Sequence, residues 1–144
     1  MEKIEAIARA IILDEAGEKI LFCAPKDKSY YYLPGGHIEF EETARIALKR
    51  ELLEEIGMET DDSQFVFFGT DENIFLQEGQ KHHEVNLYFK VPISDAEKVL
   101  SREDRIVFSW IFLSELSQFP IFPESLKKKC EDIAKEKDIS WNNI

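Results

Sequence analysis

Short runs of apolar and β-branched residues in the first quarter of the chain predict β-strands. Residues 4–13 and 19–24 are two such runs, and the turn-like segment 14–17 between them predicts a β-hairpin. Residues 30–33 predict a further strand, which the Pro-Gly-Gly sequence at 34–36 should end abruptly. The N-terminal part of the chain is therefore expected to be rich in strands.

Helical periodicity appears at two later places. A helix is predicted from about Glu42 to Ile56, with Gly57 as its C-terminal stop. Pro123 is expected at the first position of a second helix, which runs to about Lys137 with apolar residues at helical spacing. Three further strands are predicted at 64–69, 84–91 and 106–112, and one short helix is predicted at 96–100. This mixture of strands and helices favours an α/β layered fold.

Length and composition limit the classes of protein to which the chain can belong. Its 144 residues fit a single domain, 1–144, and a hydrophobic content of 44% is sufficient for a core. No run approaches the roughly 18 apolar residues of a membrane-spanning helix, and the N-terminus lacks the pattern of a secretory signal. Cys23 and Cys130 have the spacing of neither a disulfide framework nor a metal site. We therefore expect a cytoplasmic protein of one domain.

The charge balance is strongly acidic. The chain has 18 Lys and Arg residues against 29 Asp and Glu residues, which gives a formal net charge of −11 at pH 7. Such a surface repels the phosphates of nucleic acids, and the basic run 127–129 has acidic neighbours. Sequence-independent binding to nucleic acids is therefore not expected. A carboxylate cluster that binds a divalent cation is one explanation of the acidity, and simple solubility is the other.

The first predicted helix carries acidic residues on one side. At about 100° per residue, Glu51, Glu54 and Glu55 fall within roughly 100° of arc, and Arg50 lies at the edge of that arc, one turn before Glu54. A separate apolar stripe can pack against a sheet: Leu48, Leu52 and Ile56. Carboxylates at this spacing repel one another, and their hard oxygens suit Mg²⁺ or Mn²⁺. The alternative is an ordinary Glu-rich surface helix, because the E-x-x-E-E spacing by itself is common.

The spacing of the whole segment resembles the Nudix box, G-x5-E-x7-R-E-U-x-E-E-x-G-U, in which U is apolar. The match runs from Gly36 to Met58 and holds at all nine constrained positions over 23 residues. Residues 33–35 also resemble the usual lead-in of the family. One departure is Glu41, which stands immediately before the first box glutamate, where many members have glycine; it can alter the loop but removes no catalytic group. On this motif, the chain is identified as a member of the Nudix hydrolase family.

The resemblance implies a Nudix α/β/α sandwich with a mixed β-sheet. It also implies Mg²⁺-dependent (or Mn²⁺-dependent) hydrolysis of a nucleoside diphosphate linked to another moiety, X. The metal ligands of the family fall on Glu51, Glu54 and Glu55, with the backbone carbonyl of Gly35 as a further oxygen. Arg50, together with Glu51 and Glu54, is expected in the catalytic set, because its guanidinium can orient the carboxylates by charge-assisted hydrogen bonds.

Three residues are weaker candidates for contacts with the substrate: Tyr31, His37 and Glu39. His37 and Glu39 lie in the loop before the helix and can reach metal or phosphate, although such residues more often only shape the loop. The side chains of Tyr31 and its two tyrosine neighbours should point alternately to opposite sides of the predicted strand. At least one should therefore be in the core, while another can stack on a base. Glu42 is expected to close the geometry of the loop and helix start rather than to touch the substrate.

Members of the family often use one more carboxylate from outside the box, as a metal ligand or as the base that activates water. It must come from a later strand or loop that faces the helix. Glu84 is the best candidate because it opens a predicted strand, where it can face a cleft while Val85 and Leu87 take the opposite side. The competing acidic residues lie elsewhere. Glu78 is in a predicted turn, and the others are in the polar segment 70–73, which is predicted to be solvated. The alternative role for Glu84 is an edge-strand charge that discourages aggregation.

Other functions and partners stay open at this point. A catalytically silent, nucleotide-sensing Nudix-like domain would be expected to lack one of the box carboxylates, and isopentenyl-diphosphate isomerase chemistry would need further catalytic residues. The moiety X is not identified, but the charge predicts a small nucleotide-type diphosphate as substrate, with an RNA 5′ end as the one nucleic-acid alternative. No membrane partner is expected. A homodimer is open, because dimers are frequent in the family.

Overall fold

The computed structural model describes residues 2–93 and 105–134. It contains six strands: β1 (Ile4–Ile11), β2 (Lys19–Pro25), β3 (Gly35–His37), β4 (Val66–Gln77), β5 (Gln80–Lys90) and β6 (Ile106–Phe112). Two α-helices are described, α1 (Ala44–Ile56) and α2 (Ser125–Ala134). Short 3₁₀ helices cover Asp62–Gln64 and Leu113–Gln118. The short helix predicted at 96–100 lies outside the described residues.

The strands form a four-stranded sheet and a two-stranded sheet between two helical layers. The larger sheet has the order β3-β1-β5-β4, in which β1 and β5 are parallel and the other neighbours are antiparallel. The smaller sheet pairs β2 with β6 in antiparallel fashion. One apolar core lies against α1 and the other against α2. The predicted α/β class and the α/β/α sandwich with a mixed sheet are therefore confirmed.

The predicted hairpin between the first two strands exists only near its turn. Leu13 forms an isolated antiparallel bridge with Ile20, and the Leu21 amide donates to the Ile12 carbonyl at 3.0 Å. Beyond this point β1 enters the larger sheet and β2 the smaller one. Strand β2 and most of the second half of β1 are buried on both faces, so their apolar runs carried no information about which strand each would pair with.

The structure also corrects the prediction for residues 30–36. Tyr31 and Tyr32 form only isolated bridges, and the regular strand is β3, where a turn was predicted. Gly35 has φ of 142° and pairs with Arg9 of β1, and a Cβ atom at Gly35 would lie 2.0 Å from the carbonyl oxygen of Ala8. The glycines therefore allow a close approach of two backbones rather than a chain reversal.

The polar segment 70–73 is part of a strand and not a solvated loop. β4 extends through it to Gln77 and turns at Glu78 into β5, as predicted for that residue. Within the segment the Asp71 carboxylate accepts hydrogen bonds from the Tyr88 hydroxyl, at 3.0 and 3.2 Å, and from the Ser125 hydroxyl at 2.8 Å. Asp71 thus joins β4 and β5 to the first turn of α2. Its carboxylate is explained by these hydrogen bonds within the fold and not by contact with solvent.

The predicted C-terminal helix is confirmed as α2 over the part that is described. Its predicted apolar residues, Leu126, Cys130 and Ile133, are buried in the core that includes β2. Burial raises the pKa of the Cys130 thiol to about 12, so this cysteine stays protonated at neutral pH. Among the described residues, no helix is both long enough and apolar enough to cross a membrane.

Candidate active site

Helix α1 begins and ends where its sequence provides caps. The Thr43 hydroxyl accepts a hydrogen bond from the Ile46 amide at 3.2 Å, so the helix starts at Ala44, two residues after the predicted start. Gly57, with φ of 67°, ends it in the left-handed conformation, as predicted. The predicted apolar stripe is fully buried against β1: Leu48, Leu52 and Ile56. This burial fixes the rotation of the helix and turns the box glutamates towards β3.

The guanidinium of Arg50 holds the polar side of this helix together. Nη2 and Nε donate to the Glu42 carboxylate at 2.6 and 3.2 Å. Nη1 donates to Glu51 at 2.9 Å and to Glu54 at 3.4 Å, and Nη2 also donates to the His37 carbonyl at 3.2 Å. The Arg50 side chain lowers the pKa of Glu42, and its carboxylate partners, Glu42 first, raise the pKa of Arg50. Arg50 therefore neutralises part of the carboxylate repulsion, as the motif predicted.

Two carboxylates converge on the glycines of β3. Glu55 is 5% exposed, and its carboxylate accepts a hydrogen bond from the Gly35 amide at 3.0 Å. The Glu51 carboxylate lies against Gly36, so closely that a Cβ atom there would be 2.4–2.7 Å from its carboxyl atoms. Only glycine at position 36 leaves room for the Glu51 carboxylate. The two halves of the motif, glycine loop and helix, thus meet in one place.

The donor set fits a hard divalent cation. Glu51, Glu54 and Glu55 supply carboxylate oxygens beside the backbone of β3, which is the chemistry that Mg²⁺ and Mn²⁺ prefer. The Glu54 side chain is 57% exposed and can rotate towards the other two. Within the described ranges, the acidic, histidine and cysteine side chains as they stand form no group of three or more that could already hold a metal ion.

Comparison with known proteins agrees with this arrangement. The family model described as the NUDIX domain matches residues 4–130. The chain belongs to the Nudix family. The enzyme class predicted from the box, a Nudix hydrolase, is thereby confirmed. A search of curated proteins finds no match.

Solved Nudix structures share the fold. The MutT Nudix hydrolase from Burkholderia pseudomallei has a TM-score of 0.72 and 23% identity, covering 90% of this chain and 98% of that one. The E. coli dihydroneopterin triphosphate pyrophosphohydrolase has a TM-score of 0.72 and 15% identity, covering 91% and 95%. A C. elegans Ap4A hydrolase has a TM-score of 0.65 and 14% identity, covering 92% and 96%. At these identities the similarity concerns the fold.

The residue that departs from the usual Nudix loop sequence has a backbone conformation typical of glycine. Glu41 has φ of 71°, the left-handed conformation that glycine adopts most easily. Beside it, the Glu39 amide donates to the Glu42 side chain at 2.9 Å, and the Glu42 amide donates to the Glu39 carbonyl at 3.1 Å. Glu42 therefore closes the loop, as predicted, while Glu41 carries the backbone strain.

We expect Glu41→Gly to stabilise the protein. A non-glycine residue in the left-handed region costs about 1–2 kcal/mol, and the greater chain entropy of glycine offsets about 0.5–1 kcal/mol of the gain. The free energy of unfolding should rise by up to about 1 kcal/mol, which corresponds to a Tm higher by about 2–4 °C at this chain length. Calorimetry of Glu41→Gly and of the control Glu41→Ala, which keeps the Cβ atom, measures the effect. A lower Tm for the glycine variant would contradict the strain argument.

The weaker candidates for substrate contacts have different outcomes. Tyr31 is 7% exposed and packs edge-on against Phe119 with a ring separation of 5.5 Å, which is the core position expected of at least one of the three tyrosines. A contact between Tyr31 and the substrate stays a prediction. His37 is exposed, and its Nε2 lies 2.9 Å from the Glu5 carboxylate. Glu39 is exposed and contributes its backbone to the loop described above. Direct roles for His37 and Glu39 stay predictions.

Glu84 lies apart from the box glutamates. The predicted alternation of its strand is confirmed, because Leu87 packs on the core beside α1 while Glu84 and Tyr88 face a cavity on the other side of the sheet. The prediction required the additional carboxylate to face α1, and Glu84 does not face it. Burial raises the pKa of the Glu84 carboxyl, and the nearby Arg9 guanidinium opposes this change. Its role as base or metal ligand stays a prediction.

Sequence reasoning missed the residues around Glu84. Arg9 and Glu84 line a cavity of about 320 Å³ together with four aromatic residues: Tyr30, Tyr32, Phe75 and Phe122. The available signal was Arg9 itself, one of the two charged residues, with Glu5, within the otherwise apolar run 4–13. A charge in such a run requires a polar partner or a cavity on its side of the sheet.

Proposed function

We propose that this Nudix protein is a Mg²⁺-dependent diphosphohydrolase that cleaves a phosphoanhydride bond in a small nucleotide-type substrate, a nucleoside diphosphate linked to X. The observation that carries the proposal is the meeting of Glu51 and Glu55 at the glycines of β3, with Arg50 bound to Glu51 and Glu54. Two proteins of similar fold, an Ap4A hydrolase and a dihydroneopterin triphosphate pyrophosphohydrolase, are named for phosphoanhydride substrates, which supports such a substrate here.

The carboxylates have separate tasks in this mechanism. Glu51, Glu54 and Glu55, with the Gly35 carbonyl, would hold the cation, which supplies charge neutralisation and a more acidic water when bound. Glu55 is fixed by the Gly35 amide and keeps its carboxylate aimed at β3. Glu54 is the most exposed of the three and can accept a proton at its carboxylate from the attacking water. Arg50 orients Glu51 and keeps the ionised side chains together before metal and substrate bind.

A panel of phosphoanhydride compounds tests the proposal. Sugar nucleotides, ADP-ribose, dinucleoside polyphosphates, oxidised nucleotides and capped RNA are incubated with the protein and increasing Mg²⁺ or Mn²⁺, and phosphate release is measured. We expect turnover of at least one compound, abolished by chelation. Binding of these compounds without turnover at any metal concentration would contradict the proposal and favour the nucleotide-sensing alternative.

We expect free nucleotide derivatives to be preferred to long nucleic acid. The net charge of −11 works against binding a polyanion, and the repulsion weakens as salt is added. Competition at physiological salt between a free nucleotide substrate and an RNA with a 5′ di- or triphosphate measures the preference. The prediction is wrong if the RNA outcompetes every free nucleotide derivative. A homodimer and a cytoplasmic location stay predictions.

A further inference from the structure

The cavity beside Glu84 has one aromatic wall. The rings of Tyr32, Tyr30, Phe122 and Phe75 follow one another, with centroid separations of 5.8, 6.2 and 5.0 Å between successive rings. All four rings are partly exposed to the cavity and belong to no described core cluster. The volume of about 320 Å³ is at the lower end of that of small-molecule sites. A wall of this kind suits a flat, apolar-faced ligand such as a nucleobase.

The same cavity carries one cation and one anion, and the Arg9 guanidinium carbon lies 5.7 Å from the centroid of the Tyr32 ring. Arg9 and Glu84 come from the adjacent parallel strands β1 and β5 and line the same cavity. Burial raises the pKa of the Glu84 carboxyl, and the Arg9 guanidinium lowers it, so the two groups interact electrostatically. One Arg9 nitrogen, Nη1, donates to the Leu33 carbonyl at 3.1 Å. A guanidinium has five N–H donors, so others remain for a ligand.

The cavity adjoins the carboxylate site. Leu33, which Arg9 holds, leads directly into the glycines of β3. Tyr32 lines the cavity. Burial is the main cause that raises the pKa of the Tyr32 phenol, and the charges of Cys23 and then Glu55 raise it further. A nucleotide with its base in the cavity could therefore extend its phosphates towards Glu55.

We propose that Arg9 and Glu84 select a guanine base in this cavity, with the carboxylate accepting from the base N1–H and N2–H groups and the guanidinium donating to O6 and N7. This proposal rests on the proposed function, since it specifies the nucleoside part of the substrate. Guanine is the common base that presents two adjacent donors on one edge and two adjacent acceptors on the next. A carboxylate and a guanidinium are the side chains that match these two edges with paired hydrogen bonds.

The other bases match the same pair less well. Adenine would place its N1 acceptor against the Glu84 carboxylate and its N6 amino donor against Arg9, so two buried polar groups would be unpaired. Uracil offers a single N–H donor to the carboxylate. Hypoxanthine, which lacks the N2 amino group of guanine, loses one hydrogen bond and keeps the rest. The expected order of affinity is therefore guanine, then hypoxanthine, then adenine.

Binding of nucleoside monophosphates to the metal-free protein tests this inference separately from hydrolysis. GMP, IMP and AMP are titrated into the isotope-labelled chain, and the Kd of each is measured from NMR shifts. GMP should bind about tenfold to hundredfold more tightly than AMP, with IMP between them. In Glu84→Gln, the amide N–H can donate to N1 of adenine, and one acceptor for the guanine N1–H and N2–H pair is lost, so the preference should fall to near unity or reverse. Glu72→Gln, the same change at an exposed residue of β4 that does not line this cavity, is the control and should keep the preference.

The outcomes separate the assignments. Equal affinities for the three monophosphates, equal weakening of all three in Glu84→Gln, or no GMP binding at millimolar concentration would each overturn the guanine proposal. A clear GMP preference without hydrolysis of any compound would support it and count against the proposed enzymatic function. If Glu84 is instead the catalytic base predicted from the sequence, Glu84→Gln should lower kcat at least tenfold for every base alike and leave the affinities unchanged.

Discussion

Replacing Glu54 by glutamine should lower turnover by a factor on the order of 10²–10⁴, as loss of a metal ligand or of a catalytic base usually does. The substitution keeps the size of the side chain and removes its charge. Glu54 is 57% exposed and has a single described ion pair, to Arg50 at 3.4 Å, so its removal should barely affect the fold. The measurement is kcat with the best substrate of the panel across a Mg²⁺ titration, together with the Tm of the metal-free protein.

The control for this experiment is Glu59→Gln, which changes an exposed glutamate just beyond the end of the same helix. It should retain the wild-type rate. In metal-free Glu54→Gln the Tm should be unchanged or slightly higher, because one of several like charges on the helix has been removed. Turnover like that of the wild type in Glu54→Gln would rule out the assigned role of this residue.

Structural features that depend on only a few neighbouring residues were predicted best from the sequence. The positions of the glutamates on α1 follow from the helical period, and the apolar stripe of Leu48 and Leu52 determines which side of the helix is buried. The left-handed residue Gly57 and the pairing of Arg50 with nearby carboxylates are also local. Each of these features depends on spacing that the sequence states directly.

Features that depend on distant segments were predicted less well. The partner of each strand was not predictable, because the apolar runs of β1 and β2 are compatible with either sheet. The strand character of segment 70–73 comes from its pairing with residues 84–87 of β5, and the polar composition of the segment does not indicate that pairing. The alternation of Glu84 with Val85 and Leu87 was predicted correctly. Which of the two faces lies against α1 was not, because that depends on how the helix packs on the sheet.

Replacing Gly36 by alanine should abolish most of the activity while the fold is kept. The added Cβ atom would lie 2.4–2.7 Å from the Glu51 carboxyl atoms, so that carboxylate must move. It is the end of a flexible side chain, and Gly36 does not have a positive φ, so neither a backbone clash nor strain is expected. Displacing a metal ligand by about 1 Å costs about 10²-fold in rate. We therefore expect kcat/KM to fall by about that factor, with a change in the free energy of unfolding below about 1 kcal/mol.

Gly35→Ala is the contrasting variant, because the neighbouring glycine meets backbone instead of a side chain. Its Cβ atom would lie 2.0 Å from the Ala8 carbonyl oxygen, and its φ of 142° is strained for any other residue. Separating β3 from β1 to relieve this contact breaks strand pairing, so Gly35→Ala should lose several kcal/mol, about 3 or more, of stability. Urea unfolding and steady-state kinetics of both variants test the difference. If Gly36→Ala unfolds as readily as Gly35→Ala, or if it hydrolyses the substrate at the wild-type rate, then the space beside Gly36 is not what positions Glu51 for catalysis.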